Sequence, residues 1–301
     1  MSILIIGGSG FIGKSLCQSL LADGETVIIK TRNAKRTEAK FDTSNSRLKI
    51  IECFSQLNEN PSTIISLAGA GIVDKRWTEN RKKELINSRL QPLLELREWL
   101  EQNNIFINTL LVGSAIGFYG YGSNPEQEFI ENSEYTDDFT HQICRKLEDT
   151  GNSLGKFFNN ICSLRTGVVL GNGGALTKMS LPAKFHLNGK IGDGKQWVSW
   201  IHIEDWIAAT KHILSLESPK KSYNLTSPNP VTNKELSDAI GKALNKSFQL
   251  PVPSLSLKLL IGEASVLLLG SQKVLPANLN EDGFEFRFAG IDKACEDLLT
   301  S

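Results

Sequence analysis

A doubly wound α/β fold, a parallel sheet covered by helices on both faces, is what this sequence predicts, on three observations. Apolar strand-like runs alternate with helical patterns through the first two thirds of the chain. Those runs are continuously apolar, as strands buried on both faces are. The first of them also passes at once into glycines spaced three apart, Gly7, Gly10 and Gly13, ahead of a helical pattern.

The elements follow in order. SILIIGG is a strand and turn, and Phe11 to Ala22 a helix. TVIIKTR and TIISLAG are the next strands, and the helix from Asn80 to Gln102 follows them. NTLLVGSA is a strand, Phe139 to Gly151 a helix with Asp137 and Asp138 as cap and first-turn charges, and ICSLRTGVVLG a strand. Beyond Gly171 the regularity breaks. GNGGALTKM reads as a glycine-rich loop, and in TSPNPVTNKEL Thr232 is placed to cap a helix. PVPSLSLKLLIGE and LPANLNEDGFEFRF belong to a smaller lobe interleaved with the main one. The division this implies is residues 1–171 and 197–214 for the sheet domain, and 172–196 and 215–301 for the lobe.

Composition narrows the function. Among 301 residues, 33 Lys and Arg balance 33 Asp and Glu, so no net field draws the chain to nucleic acid or an anionic membrane. The five cysteines form no CxxC pair, which argues against a structural zinc site or a disulfide framework. The longest apolar run, near ASVLLLG, is far short of the ~18 residues of a membrane span. A cytosolic protein with reduced thiols is expected.

The glycine turn is where a pyrophosphate can approach the backbone and sit on the N-terminus of the helix that opens at Phe11 and Ile12. A dinucleotide is the expected ligand. A carboxylate about 20 residues on would accept the ribose hydroxyls of NAD. None stands at the end of the second strand. Thr31 and Arg32 do, and a guanidinium suits a 2′-phosphate, so the expected cofactor is NADP(H).

GGSGFIG, SLAGAGI, SAIGFYG, LRTGVVLG and WIHIEDW together resemble the extended short-chain dehydrogenase/reductase superfamily. LAGAGIVDKRWTENRK, WVSWIHIEDW, NLTSPNPVTNKEL and QKVLPANLNEDGFEFRF add a resemblance to its atypical subgroup of epimerase family proteins, which carry a distinctive C-terminal domain. The resemblance implies a Rossmann-type core, NADP(H) binding with Leu67, Ala68 and Gly69 behind the cofactor, and a small-molecule substrate. Helix pairing into a homodimer is common in the superfamily. Its WIHIEDW segment implies that His202 and Asp205 fix a strand-to-helix turn.

One departure stands out. Extended members transfer a proton with a Ser or Thr and a Tyr whose pKa is lowered by a Lys four residues on. In the family's register Thr140 and Cys144 take the Tyr and Lys places, Lys146 is two residues out of step, and Ala115 takes the usual hydroxyl position. The candidate catalytic residues are therefore Ser114 and Tyr119, with His141 as a further option. Tyr119 would need a cationic neighbour to ionise near neutrality. Lys75 and Arg76 follow a strand's carboxyl end, and one of them, with Arg76 as the candidate, is expected to touch a cofactor phosphate or an anionic substrate. Arg81, Lys82 and Lys83 read as a solvated helix face. Trp197, Trp200 and Trp206 are expected to wall the cleft between the lobes. No metal site is expected, because His202 and Asp205 lack a third ligand. The chain is thus read as an NADP(H)-dependent oxidoreductase or epimerase, or alternatively as an NADPH-binding sensor that has lost catalysis.

Overall fold

The computed structural model describes residues 1–183, 189–246 and 250–300. Seven parallel strands form one sheet: β1 (Ser2–Ile6), β2 (Thr26–Lys30), β3 (Leu48–Ile51), β4 (Thr63–Ser66), β5 (Ile107–Ala115), β6 (Phe158–Thr166) and β7 (Ser222–Leu225). Their spatial order is β7-β6-β5-β4-β1-β2-β3. The order reverses between β1 and β4, which pair with Ile3 opposite Thr63 and Ile6 opposite Ser66. A crevice at such a reversal, beyond the strands' carboxyl ends, is where ligands bind in open α/β sheets.

The continuous apolar runs are buried on both faces, as expected. On one face α1 (Phe11–Ala22) packs Leu16, Cys17 and Leu20 against Ile3, Ile5 and Ile29. On the other, α2 (Glu79–Asn103) and α3 (Phe139–Asn152) pack Leu93, Leu96 and Leu147 against Leu4, Ile64 and Leu110. Asp138 caps α3 by accepting the His141 amide, as read from the sequence. α4 (Ile203–Ser215) completes the first face with Trp206, Ala209 and Ile213.

The C-terminal lobe has its own core, in which Trp200, Leu236, Ile240, Phe288 and Leu298 meet. Its helix α5 (Asn233–Ala243) opens on Thr232, whose hydroxyl accepts the Glu235 amide while the Glu235 carboxylate accepts the Thr232 amide. α6 (Ile291–Leu299) packs beside it. No helix among the described residues is long and apolar enough to cross a membrane.

Several expectations are corrected here. The edge strands β3 and β7, LKII and SYNL, were not anticipated, being short and carrying polar residues. β7 belongs to the main sheet, although the sequence division placed 215–301 in the lobe; of the range 172–196, residues 184–188 lie outside the described residues. The expected loop GNGGALTKM turns into a helix at Gly174, and its glycines leave room for the Phe11 ring, which a Cβ at Gly171, Gly173 or Gly174 would meet at 2.7–2.9 Å. Arg81 is not on a solvated face: it is buried, donates to the Gly71 carbonyl and pairs with Glu84 at 2.7 Å. Trp200 and Trp206 are core residues whose indole N–H groups reach the Asn229 carbonyl and the Thr166 hydroxyl.

Candidate active site

The site has two parts. The first is the glycine turn. Gly7 has φ +86°, and a Cβ there would strike the Ala68 amide at 2.8 Å, so the Leu67–Ala68 backbone closes directly behind the turn. A Cβ at Gly13 would lie 2.6 Å from the Gly7 carbonyl, so this glycine lets α1 seat on the turn. Gly10 differs. It is the N-cap of α1, and a Cβ there would meet only the Gly7 carbonyl, at 3.4 Å, with open space beyond. No side chain caps this helix and no acidic residue stands in its first turn. The first-turn amides of Phe11, Ile12 and Gly13 have no intrahelical acceptor, by the geometry of any helix start. An open cradle lined with N–H donors fits a pyrophosphate.

The end of β2 frames this cradle. The Thr31 hydroxyl accepts from the Thr37 hydroxyl at 2.9 Å and the Asn33 amide at 3.3 Å. Lys40 reaches back to the Ser9 carbonyl at 2.7 Å, closing the turn from the side. Arg32 is exposed and forms no ion pair among the described residues.

The second part is a cavity of about 590 Å³ between the carboxyl ends of β5 and β6 and the C-terminal lobe. Its walls are mostly apolar, with Ile72, Ala115, Ile116, Met179, Leu236 and Leu267 among them. Thr140 and Cys144, one turn apart on α3, both line it, so the residues at the family's Tyr and Lys places do face a cavity. Neither is a ready acid or base. The Thr140 hydroxyl donates to Asp138 at 2.6 Å, and burial, then the Glu148 charge, pushes the Cys144 thiol up to about 11.

Ser114 and Tyr119 are not among the residues lining this cavity, which departs from the expectation. Both belong to a buried network. Ser114 donates to Glu148 at 2.7 Å, Arg165 donates to both Glu148 oxygens at 3.1 and 3.0 Å, and Arg165 also reaches the Tyr119 hydroxyl at 3.2 Å. Tyr119 in turn donates to Asn224 at 2.7 Å. The cationic neighbour that Tyr119 requires is therefore present, yet burial outweighs it and the phenol is pushed up to about 12. The hydroxyls pin β5, α3, β6 and β7 together. His141 is likewise committed, bonded to the Phe118 carbonyl and stacked on Tyr135 at 3.8 Å.

Tyr121, two residues on, takes the place that Tyr119 was expected to hold. Gly120 has φ +64° between them, and the turn sends the second ring into the cavity wall against Gly270. The Tyr121 amide donates to Asp138 at 2.9 Å, while its hydroxyl is without a protein partner among the described residues. Burial, then the Asp138 charge, raises its pKa far above the ordinary range, so it stays protonated. Trp197 lines the cavity as expected. Arg76 is exposed and packs at the Gly262 turn, where a Cβ would lie 3.2 Å from its guanidinium. Sequence reasoning also passed over Arg89 on α2, which lines the cavity. Nothing local in the sequence marks it: a Cβ at Gly69 would meet the Arg89 side chain at 3.0 Å, a proximity that packing alone creates.

His202 and Asp205 act as the resemblance implied. His202 caps α4 through the Glu204 amide, and Asp205 accepts the Arg287 and Phe288 amides at 2.9 Å, fastening the C-terminal segment. Among the described residues no cluster of His, Cys, Asp or Glu could hold a metal.

Residues 3–226 match the model of the NAD dependent epimerase/dehydratase family, and residues 252–298 match a domain of unknown function, DUF1731. The chain belongs to the NAD dependent epimerase/dehydratase family. The epimerase family protein YfhF of Bacillus subtilis is 33% identical over 300 residues, 99% of this chain and 98% of its own. The chloroplastic SDR39U1 homolog of Arabidopsis thaliana is 32% identical over 99% of this chain and 87% of its own. Among solved structures, the human epimerase family protein SDR39U1 (isoform 2), crystallised with NADPH, superposes with a TM-score of 0.86 at 27% identity, over 100% of both chains. A UDP-glucuronic acid 4-epimerase from Bacillus cereus, 18% identical with a TM-score of 0.76 over 100% of this chain and 98% of its own, shares the fold. Against that family background, the missing Tyr–Lys pair is a property of a chain that otherwise keeps the fold throughout.

Proposed function

We propose that this protein is an NADP(H)-dependent reductase acting on a carbonyl group of a small, largely apolar substrate. The open cradle at Gly10, the exposed Arg32 and the NADPH of the human relative support the cofactor. When bound there, NADPH supplies the hydride.

The observation that carries the choice of reduction is the state of Tyr121. An oxidation needs a base to take the alcohol proton, and no lysine lowers the pKa of a cavity-facing phenol here. A phenol whose pKa is raised instead remains a proton donor across the physiological range, and a carbonyl oxygen gaining charge as hydride arrives needs such a donor. The apolar walls exclude water from that oxygen and select against a heavily hydroxylated substrate. This favours a reductase over an epimerase, which must oxidise as well as reduce.

The test is NADPH consumption with a panel of apolar ketones and aldehydes, sugar nucleotides serving as the polar comparison. Tyr121→Phe is expected to lower turnover by about 10²-fold with NADPH affinity kept. Tyr119→Phe is expected to lower the melting temperature and to have the smaller effect on turnover. The second reading, a sensor, draws on the same absent Tyr–Lys pair. NADPH binding with no acceleration by any carbonyl compound would replace the reductase with it.

A further inference from the structure

The cavity wall holds an arginine that the proposed reaction does not use. Arg89 projects from α2 into its wall, donating Nη1 to the Leu85 carbonyl at 2.8 Å and Nη2 to the Ala70 carbonyl at 3.1 Å. A guanidinium has five N–H donors, and two engaged here leave three. No described carboxylate pairs with it, and no Asp or Glu is among the described residues lining the cavity. The other cation there, Lys178, is exposed and already bound to Asp74 at 2.7 Å. Burial and the neighbouring Arg81 charge lower the Arg89 pKa, while Cys144 opposes that shift. A half-buried cation held by two neutral carbonyls in an apolar chamber is poorly compensated, and an oxyanion supplied by a ligand would compensate it.

Resting on the reading of this cavity as the substrate site, we infer that the substrate is an amphiphilic acid, whose single oxyanion binds Arg89 while its apolar body fills the chamber. The planar fork suits a carboxylate or a similar planar oxyanion. The sheet places Arg89 near both cofactor and substrate, because Gly69, behind the nucleotide turn, is the glycine its side chain crosses. A cofactor phosphate is therefore the competing source of the same chemistry, and the experiment separates the two.

The probes are anilinonaphthalene sulfonate, an apolar anion, and N-phenylnaphthylamine, its neutral analogue, titrated by fluorescence into the NADPH-saturated protein. Arg89→Met is expected to weaken the anionic probe by about tenfold or more and to leave the neutral probe within about twofold. Arg89→Lys keeps the charge without the fork and is expected to fall between the parent and Arg89→Met. Ala175→Phe, which fills the chamber, is expected to weaken both probes. Unchanged anionic binding in Arg89→Met, equal loss of both probes, or anionic binding that survives Ala175→Phe would overturn the inference. So would a fall in NADPH affinity in Arg89→Met as large as the fall in anionic binding, which would assign Arg89 to the cofactor. A parent protein that binds no NADPH refutes the proposed function instead, and the same titrations without cofactor then still decide the role of Arg89.

Discussion

The two halves of the site are built from different materials. At the glycine turn, backbone does the work: Gly7, Gly10 and Gly13 lie within seven residues, and neighbouring backbone leaves no room for a Cβ at Gly7 or Gly13, while Gly10 opens onto the cradle. In the cavity, side chains do the work, and they arrive from Arg89, Tyr121, Thr140, Trp197 and Leu236, far apart in the chain. The first half tolerates almost no change in the chain's path, whereas the second can change its chemistry while the fold stays. Thr140 and Cys144, at the places where the family resemblance implies a Tyr and a Lys, stand on a regular helix, and a difference there is of that second kind.

The largest expected effect tests whether the glycines are equivalent. Gly13→Val forces a side chain into the Gly7 and Gly8 backbone, at a cost on the order of 3 kcal/mol or more, and little folded protein is expected in thermal denaturation. Gly10→Val places its side chain in open space, so a folded protein with NADPH affinity reduced by about 10²-fold is expected in the same assay and in titration. If Gly10→Val unfolds as well, the distinction between seating and ligand glycines fails.

The next effect concerns Arg32, on which the proposed preference for NADP(H) rests. Arg32→Ala removes a charge-assisted contact of about 1.5–3 kcal/mol, so the ratio of NADPH to NADH affinity is expected to fall by roughly 10- to 100-fold in paired titrations. An unchanged ratio would move the 2′-phosphate elsewhere.

The smallest effect concerns how the lobe is held over the cavity. Burial holds the pKa of His202 below its ordinary 6.5, against the pull of Glu204 and Asp297. In the unfolded chain the imidazole binds a proton near 6.5, while in the folded chain it resists until a lower pH. Stability from this residue is therefore intact above about pH 6.5 and declines as pH falls below it, levelling off once the folded group also protonates. His202→Gln is expected to flatten that part of the melting curve between pH 7 and 5 by a few degrees. A steeper acid loss in the variant would contradict the sign.

Much of the fold was legible because its determinants are local. α1 was placed to the residue, and α2 to within one residue at each end, since period and caps are written in contiguous positions. Strands β3 and β7 escaped because an edge strand needs no continuous apolar run. In the site, the glycine turn and the absence of a carboxylate after β2 were readable, and so was the loss of the Tyr–Lys register. Ser114 and Tyr119 were chosen by distance along the chain, which cannot distinguish a hydroxyl bonded to Glu148 or Asn224 from one that faces a cavity.

By itself the sequence determined the sheet-forming runs, the Gly7, Gly10 and Gly13 turn, the Thr232 cap and the basic end of β2. Each of these depends on backbone conformation over a few neighbouring residues. Only the tertiary structure decided that Tyr119 turns inward to Arg165 while Tyr121 turns to the cavity, and that Arg89 stands there with no carboxylate among the described lining residues. The physical reason lies in what sets a side chain's surroundings. Burial, partner and charge are properties of the groups that packing brings from elsewhere, and a residue two places along the chain across Gly120 can meet an entirely different set.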